Sequence, residues 1–237
     1  MSALRDSHVV RRSERPGWGV VVPVKLLALA KTRLQGYGDG AREQLALSFA
    51  ADVVEAALGC AAVRRVLVVT DDCRAGGLLR TLGAVVVLDA PAAGLNPALA
   101  HGAALLQEAA VDDGVVALAA DLPALRATEL AVVLAAVPPG RRVFVPDAGS
   151  SGTTLLAAAP GIGLDPAFGA GSRMRHLQLG VVEVAGGAGL RRDVDTRTHL
   201  AEAVALGVGR HTAAALATSA TSRSPADGAR WSDEHPG

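Results

Sequence analysis

The sequence predicts a single α/β domain with a mostly parallel sheet covered by helices on both faces. Short apolar runs rich in valine and leucine alternate along the chain with segments of helical spacing. The apolar runs are nearly continuous, which is typical of strands buried on both faces. With 237 residues, of which 50% are hydrophobic, the chain is long enough to form one large core.

The elements follow from these runs in chain order. Residues 19–24 predict the first strand, and the helical spacing of residues 42–59 predicts the first helix. The further predicted strands are 65–70, 84–88, 115–120, 142–146, 153–157 and 180–184. The further predicted helices are 75–82, 96–110, 127–136 and 196–206. Regular alternation of strands and helices of this kind produces a mostly parallel sheet.

Both ends of the chain differ in composition from this domain. Residues 1–16 are highly charged, offer little to bury, and lack the apolar centre of a secretory signal. Residues 217–237 are rich in Ser, Thr, Pro, Asp and Gly. Both compositions are typical of disorder. We therefore expect two disordered ends around a folded domain of residues 17–216.

The overall composition excludes several classes of partner. A net charge of +0 gives no general attraction to nucleic acid or to an anionic membrane, so any phosphate recognition must be local. No apolar stretch reaches the roughly 18 residues of a membrane span. Cys60 and Cys73 have no metal-ligand spacing, which indicates reduced thiols of a cytoplasmic protein.

Two carboxylates stand where a cation could bind. The apolar run 115–120 ends on Asp121, and ligands of open α/β sheets bind beyond the carboxyl ends of the strands. Asp121 can instead cap a helix that begins near Pro123. Asp193 and Asp195 alternate on one side of an extended segment. Asp195 caps the helix after it or completes a metal site with Asp121, since Mg²⁺ typically takes one or two carboxylates together with phosphates.

Basic side chains follow the first predicted strand. Lysine offers phosphate a point charge, and arginine forks onto two phosphate oxygens. The cluster comprises Lys25, Lys31 and Arg33. It suits a triphosphate, although a solvated basic loop is the simpler alternative, and the chain has no P-loop motif. Asn96 can cap the following helix, with Pro97 at its first position, or contact a base or ribose.

Two loops of small residues can bind an anion. Residues 147–154 and 168–172 combine glycines with hydroxyl side chains, which can present backbone N–H and O–H groups to a ligand. The alternative is that these glycines only satisfy unusual backbone angles. The histidines form no catalytic or metal-binding pattern. His176, close to the second loop, is the strongest candidate among them.

Taken together, these segments resemble the guanylyltransferases of coenzyme F420 biosynthesis, which join GTP to 2-phospholactate or phosphoenolpyruvate. The resembling segments run in order across nearly all of the predicted domain: 22–25 with 30–34, 69–72, 95–99 with Gly102, 120–123, Asp147 with 152–154, 168–172 and 193–196. The wider group is the Rossmann-like nucleotidyltransferases of the GT-A-like fold. The first loop lacks the Gly-rich signature of the molybdopterin guanylyltransferases in that group, which favours the F420 branch.

The resemblance implies how the nucleotide is held. The residues expected at the GTP phosphates are Lys25, Lys31 and Arg33. Asn96 would face the nucleoside. Asp121 and Asp195 would hold Mg²⁺ and, with Lys25, form the catalytic group.

The resemblance also implies an acceptor site at Thr154, Gly169 and Ser172. We expect phosphoenolpyruvate as the acceptor, because the high Ala, Val, Gly and Arg content is typical of the actinobacterial branch associated with it. The alternatives are 2-phospholactate or 3-phosphoglycerate as acceptor, a molybdopterin or sugar nucleotidyltransferase, and a GTP-binding regulator without turnover. A labile product implies handover to a downstream F420 transferase.

Overall fold

The computed structural model of the protein describes residues 17–29, 31, 34, 37–90 and 92–221. Its strands are β1 (Trp18–Pro23), β2 (Val63–Val69), β3 (Val85–Val87), β4 (Gly114–Leu118), β5 (Arg142–Pro146), β6 (Thr153–Ala158) and β7 (Val182–Glu183). Its α-helices are α1 (Asp39–Leu58), α2 (Cys73–Thr81), α3 (Leu95–Ala109), α4 (Ala127–Ala135), α5 (Ser172–Gln178), α6 (Ala188–Arg191), α7 (Arg197–Leu206) and α8 (Arg210–Thr221). A short 3-10 helix, Leu27–Leu29, follows β1.

The strands form one sheet in the order β3-β2-β1-β4-β6-β5-β7. Strand β6 runs antiparallel to both of its neighbours, and the other paired strands are parallel. A short turn joins β5 to β6, and strands joined by such a turn must be antiparallel. The predicted α/β class with a mostly parallel sheet is confirmed.

Each face of the sheet is covered by its own helices. Val20 and Val22 pack with residues of α1, α2 and α4 on one face. Val21, between them in the sequence, packs with α3 on the other face. Helix α3 lies so close to the sheet that a Cβ added at Gly102 would be 2.7 Å from Val21 Cγ1. These two layers bury the strands on both sides and leave their carboxyl ends at one edge.

Helix α8 (Arg210–Thr221) runs past residue 216, the predicted end of the domain. Asp52, a buried residue of α1, accepts hydrogen bonds from the backbone N–H groups of His211 (2.9 Å) and Thr212 (3.0 Å). A carboxylate from another helix therefore caps α8. The helix continues to Thr221, and the domain bounds of residues 17–216 stay a prediction. Residues 1–16 and 222–237, predicted to be disordered, lie outside the described residues.

Other elements also differ from the prediction. Helices α5 and α6 were not predicted, and β4 ends at Leu118 rather than at residue 120. Cys60 is buried and Cys73 exposed, and both are free thiols. In the part of the chain that the structure describes, no helix has the length and apolar character of a membrane span.

Candidate active site

A pocket opens at the carboxyl ends of β1 and β4, where the strand order reverses. The chain builds outward from β1 to β2 and β3, then returns to place β4 on the other side of β1. Crevices at such switch points are the usual ligand sites of open α/β sheets. The cavity measures about 310 Å³, and the polar and aromatic side chains of its lining are Lys25, Lys31, Asp121, Phe168 and Asp195.

Lys31 joins the two predicted metal ligands. Its Nζ donates to Asp121 Oδ2 at 2.5 Å and to Asp195 Oδ1 at 3.0 Å. The lysine side chain is 11% exposed, against 27% for Asp121 and 46% for Asp195. Lys31 has a φ of 54°, a left-handed conformation that is uncommon outside glycine and typical of functional sites. One ammonium group thus lies between carboxylates that are far apart in the sequence.

Negative charge is concentrated around this lysine. Burial acts to lower the pKa of Lys31, but the charges of Asp121 and Asp195 outweigh it, and the pKa is raised. Burial raises the pKa of Asp193 to about 6, aided by the charges of Asp121, Asp195 and Asp147. The sequence pattern had placed Asp193 beside Asp195, but it did not predict that the charge of Asp147 would act on the same group. The arrangement favours a cation beside the carboxylates.

Neither Asp121 nor Asp195 caps a helix, which was the alternative role considered for each of them. Helix α4 begins at Ala127, well after Asp121. Helix α7 is capped by Thr196, whose hydroxyl accepts from the backbone N–H of His199. The Asp121 carbonyl instead accepts from the backbone N–H of Val194 at 3.0 Å, which fastens the two acidic segments together.

The basic loop after β1 is described in part. Lys25 is exposed and lines the pocket, as the phosphate-binding prediction requires. The backbone N–H of Leu27 donates to Asp72 Oδ2 at 2.9 Å, so the residue that caps α2 also holds this loop. Arg33, the third predicted phosphate contact, lies outside the described residues. Its role stays a prediction.

Asn96 does not cap α3. The helix begins at Leu95, after Gly94, and the Asn96 amide pairs with the backbone of Phe168 instead. Its Oδ1 accepts from the Phe168 N–H at 2.7 Å, and its Nδ2 donates to the Phe168 carbonyl at 3.1 Å. The capping prediction is wrong, and a nucleoside contact stays a prediction. Through these two bonds Asn96 fixes the position of Phe168, which lines the pocket.

Residues 167–172, here called the glycine loop, are held by side chains of the helix that follows. Arg175 donates to the carbonyls of Ala167 (3.1 Å), Phe168 (3.1 Å) and Ala170 (2.6 Å). Gly169 has a φ of +113°, which L side chains rarely adopt. Most of the hydrogen bonds that fix the loop therefore go to its backbone.

Ser172 and Thr154, predicted at the acceptor site, are both almost fully buried. Ser172 Oγ bonds Thr153 Oγ1 at 3.0 Å, and Thr154 Oγ1 lies 3.5 Å from the Val145 carbonyl. The backbone N–H of Ala119, at the end of β4, donates to the Thr154 carbonyl. The two predicted residues thus flank the carboxyl end of β4 and the glycine loop, and their contact with an acceptor stays a prediction.

The turn between β5 and β6 is organised by Asp147. Its Oδ1 and Oδ2 each accept at 2.8 Å, from the backbone N–H groups of Ser151 and Gly152 respectively. Arg191 donates to the carbonyls of Pro146 (3.2 Å) and Asp147 (2.9 Å). Two backbone N–H groups of the predicted anion-binding turn are therefore already bonded to Asp147 of the same turn.

A second group of ligand atoms occurs elsewhere among the described residues. Asp52, Glu55 and His211 offer carboxylate and imidazole atoms that all lie within 4.8 Å of one another and could hold a metal ion. Each carboxylate already has a structural partner, since Asp52 caps α8 and Glu55 pairs with Arg210 at 2.5 Å. Packing of α8 against α1 accounts for this group.

Comparison with known proteins identifies the family. A family model described as "Guanylyl transferase CofC like" matches residues 18–231. The chain belongs to this guanylyl transferase family. Phosphoenolpyruvate guanylyltransferase of Streptomyces coelicolor is 57% identical over 203 residues, covering 84% of this chain and 96% of that protein. The protein of the same name from Thermomonospora curvata is 54% identical over 202 residues, covering 84% and 89%.

Solved structures agree on the fold. A nucleotidyl transferase from Methanothermobacter superposes with a TM-score of 0.52 at 18% identity, over 85% of this chain and 99% of that one. The 4-diphosphocytidyl-2C-methyl-D-erythritol synthase of Anaerococcus prevotii gives 0.54 at 9% identity, over 80% and 95%. The predicted GT-A-like fold, the family and the nucleotidyltransferase class are confirmed.

Proposed function

We propose that this protein transfers GMP from GTP to phosphoenolpyruvate and releases pyrophosphate, as a step of coenzyme F420 biosynthesis. The observation that carries the proposal is the convergence of Lys31, Asp121 and Asp195 in the pocket at the β1/β4 switch point. The names of the relatives from Streptomyces and Thermomonospora support guanylyl transfer to this acceptor.

The two carboxylates suit Mg²⁺. A single atom, Lys31 Nζ, is within hydrogen-bond distance of one oxygen from each, so the oxygens converge on one point. Carboxylate oxygens are the ligands that Mg²⁺ prefers, usually one or two of them beside substrate phosphates. Bound there, Mg²⁺ would supply charge neutralisation for the phosphates of GTP. We infer that Lys31 then turns from the carboxylates toward a phosphate.

The reaction needs positioning more than proton transfer. A phosphate oxygen of the acceptor attacks the α-phosphorus of GTP, and the bond from that phosphorus to the oxygen bridging to the β-phosphate breaks. The electron pair leaves with pyrophosphate, and no proton must be removed because the attacking phosphate is already ionised. Lys25, Lys31 and Arg33 are proposed to offset the charge of the approaching polyanions, and Asn96 to lie on the nucleoside side.

The acceptor is proposed to bind between β6 and the glycine loop. Thr154, Gly169 and Ser172 are its proposed contacts, and their small size suits a compact three-carbon phospho-acid. A labile product fits a cytoplasmic enzyme that passes it to a downstream F420 transferase. The catalytic domain is proposed to comprise residue 17 to the end of α8.

Pyrophosphate release tests the proposal. Purified protein with Mg²⁺ and GTP should release pyrophosphate with phosphoenolpyruvate, and EDTA should stop the release. Parallel reactions with 2-phospholactate or 3-phosphoglycerate, and with ATP or CTP in place of GTP, determine the acceptor and the nucleotide. Higher kcat/KM with another acceptor or nucleotide would overturn the specificity proposed here. GTP binding with no pyrophosphate release from any acceptor would indicate a regulator without turnover.

A further inference from the structure

His176 is the most deeply buried ionisable side chain beside the glycine loop, with 0% exposure. Its ring lies between Phe144 and Phe168, at centroid distances of 5.3 and 5.6 Å. Nδ1 is 3.0 Å from Thr153 Oγ1, and Nε2 accepts from the backbone N–H of Ala167 at 3.2 Å. The ring thus connects β6, the start of the glycine loop and helix α5.

The Ala167 contact determines which ring nitrogen is protonated. A backbone N–H can only donate, so Nε2 must be an acceptor without a proton. The neutral ring then has its proton on Nδ1 and donates it to Thr153 Oγ1. Burial, aided by the charges of Arg175 and Arg142, lowers the pKa of His176 to about 4, which keeps the ring neutral near pH 7.

This tautomer leaves one hydroxyl hydrogen unused. Thr153 and Ser172 together have two hydroxyl hydrogens, and the 3.0 Å bond between their oxygens uses one of them. Ser172 donates to Thr153 Oγ1, which also accepts from His176, so the Thr153 hydrogen is the unused one. When a ligand accepts the Ser172 hydrogen, Thr153 can turn its own hydrogen to Ser172 Oγ and keep the bond between the two hydroxyls. An anion is the ligand that such a surplus donor recognises.

We propose that His176 is a positioning residue for the acceptor: through Thr153 it orients the Ser172 hydroxyl, and through Ala167 it fixes the glycine loop. The proposal rests on the proposed function, since it takes the acceptor to be a phosphorylated three-carbon acid at Ser172. The acid accepts a hydrogen bond from the Ser172 hydroxyl, and the direction of that hydroxyl is set by Thr153 and His176 outside the pocket. The phosphates of GTP are proposed to meet Lys25 and Lys31 at the β1/β4 side, and the ion pairs of Lys31 there go to Asp121 and Asp195 rather than to this network.

Three substitutions test the role. His176→Gln can retain an acceptor for the Ala167 N–H but has no donor atom in the place of Nδ1, beside Thr153. Thr153→Val removes the relaying hydroxyl with little change of shape, and Thr153→Ser restores it. Thr212→Val is the control of the same chemistry, because Thr212 is also buried and lies in α8, which is not part of the glycine loop. Pyrophosphate release as a function of each substrate gives the two KM values.

His176→Gln and Thr153→Val should each raise KM for phosphoenolpyruvate about tenfold, and leave KM for GTP within about twofold. Thr153→Ser should recover most of the loss, and Thr212→Val should match the wild type. If the substitutions leave the acceptor KM unchanged, or raise both KM values equally, His176 has no positioning role. Wild-type protein that releases no pyrophosphate with any acceptor would instead overturn the proposed function.

A spectroscopic measurement covers the case in which His176→Gln does not fold. The ¹⁵N spectrum of wild-type protein labelled at histidine should show a His176 ring protonated at Nδ1 and unprotonated at Nε2 at pH 7. A ring protonated at Nε2, or at both nitrogens, would contradict the proposal whatever the kinetics show.

Discussion

The pocket at Lys31, Asp121 and Asp195 is built from ion pairs, whereas the glycine loop beside it is held by a network of mostly uncharged hydrogen bonds. The charged group is partly exposed and depends on electrostatic balance, since one lysine faces two carboxylates. The glycine loop is held by Asn96, Arg175 and His176, which bond mainly its backbone. We infer that the charged side is the one suited to a cation and phosphates, while the glycine loop presents a preformed shape.

The charged side should be the more sensitive to substitution. Asp121→Asn removes one of two converging carboxylates and should lower kcat/KM on the order of a thousandfold, with the fold retained. Asp89→Asn, a half-buried aspartate after β3 that is not among the residues lining the pocket, is the control and should match the wild type. Pyrophosphate release checks the rates, and thermal unfolding checks the fold. Full activity of Asp121→Asn would remove this residue from the cation site.

The two lysines of the chain should differ in their effects. Lys31→Met leaves Asp121 and Asp195 without their shared ammonium and removes the proposed phosphate contact, so kcat/KM should fall on the order of a hundredfold. Lys25→Met, at an exposed position, should have the smaller effect because its charge is better screened by water. Steady-state kinetics at two salt concentrations measures both. Equal effects would mean that burial between carboxylates gives Lys31 no special role.

The preformed side should respond through acceptor binding. Gly169→Ala forces a side chain into φ +113° and should raise KM for phosphoenolpyruvate about tenfold, the equivalent of about 1.4 kcal/mol of binding. Gly83→Ala is the matched control, because Gly83 has a φ of +107° and lies after α2, away from the glycine loop. Both substitutions should lower the thermal midpoint. A change of KM in both variants would contradict a local role for the loop.

The buried histidine should make stability depend on pH. The folded pKa of about 4 lies below the ordinary value of 6.5, so the unfolded chain takes up a proton first. The contribution of His176 to stability is complete above pH 6.5 and is lost as the pH falls toward 4, up to about 3 kcal/mol. Urea unfolding of wild type and His176→Gln at pH 7 and pH 5 measures it. Equal losses in both proteins would assign the acid sensitivity to other groups.

Much of the charged side could be predicted from the sequence. Asp121 directly follows a buried apolar run, and such positions lie at the binding edge of a parallel sheet. Asp195 and the lysines were predicted in the same way, from short local patterns. The bridging contact of Lys31 was not, because it joins segments 90 and 164 residues apart and depends on a left-handed backbone at Lys31.

Local sequence patterns predicted little of the glycine loop and of the elements that hold it. Helix α5 is short and has no apolar stripe, and its anchor is a buried histidine rather than a leucine. Asn96 pairs with Phe168, 72 residues away, where its local pattern had indicated a helix cap. Helix α8 begins where the backbone N–H groups of His211 and Thr212 donate to Asp52 of α1, 159 and 160 residues away in the sequence. Each of these features is determined by tertiary contact.

Binding of Mn²⁺, as a spectroscopic substitute for Mg²⁺, tests the central claim most directly. Electron paramagnetic resonance titrations would compare wild type, Asp121→Asn and His211→Gln, each with and without GTP. His211→Gln disrupts the second ligand group but keeps the backbone N–H that Asp52 caps. We predict GTP-dependent binding of one Mn²⁺ in wild type and His211→Gln, and its loss in Asp121→Asn. Retention in Asp121→Asn with loss in His211→Gln would contradict a cation site at Asp121 and Asp195.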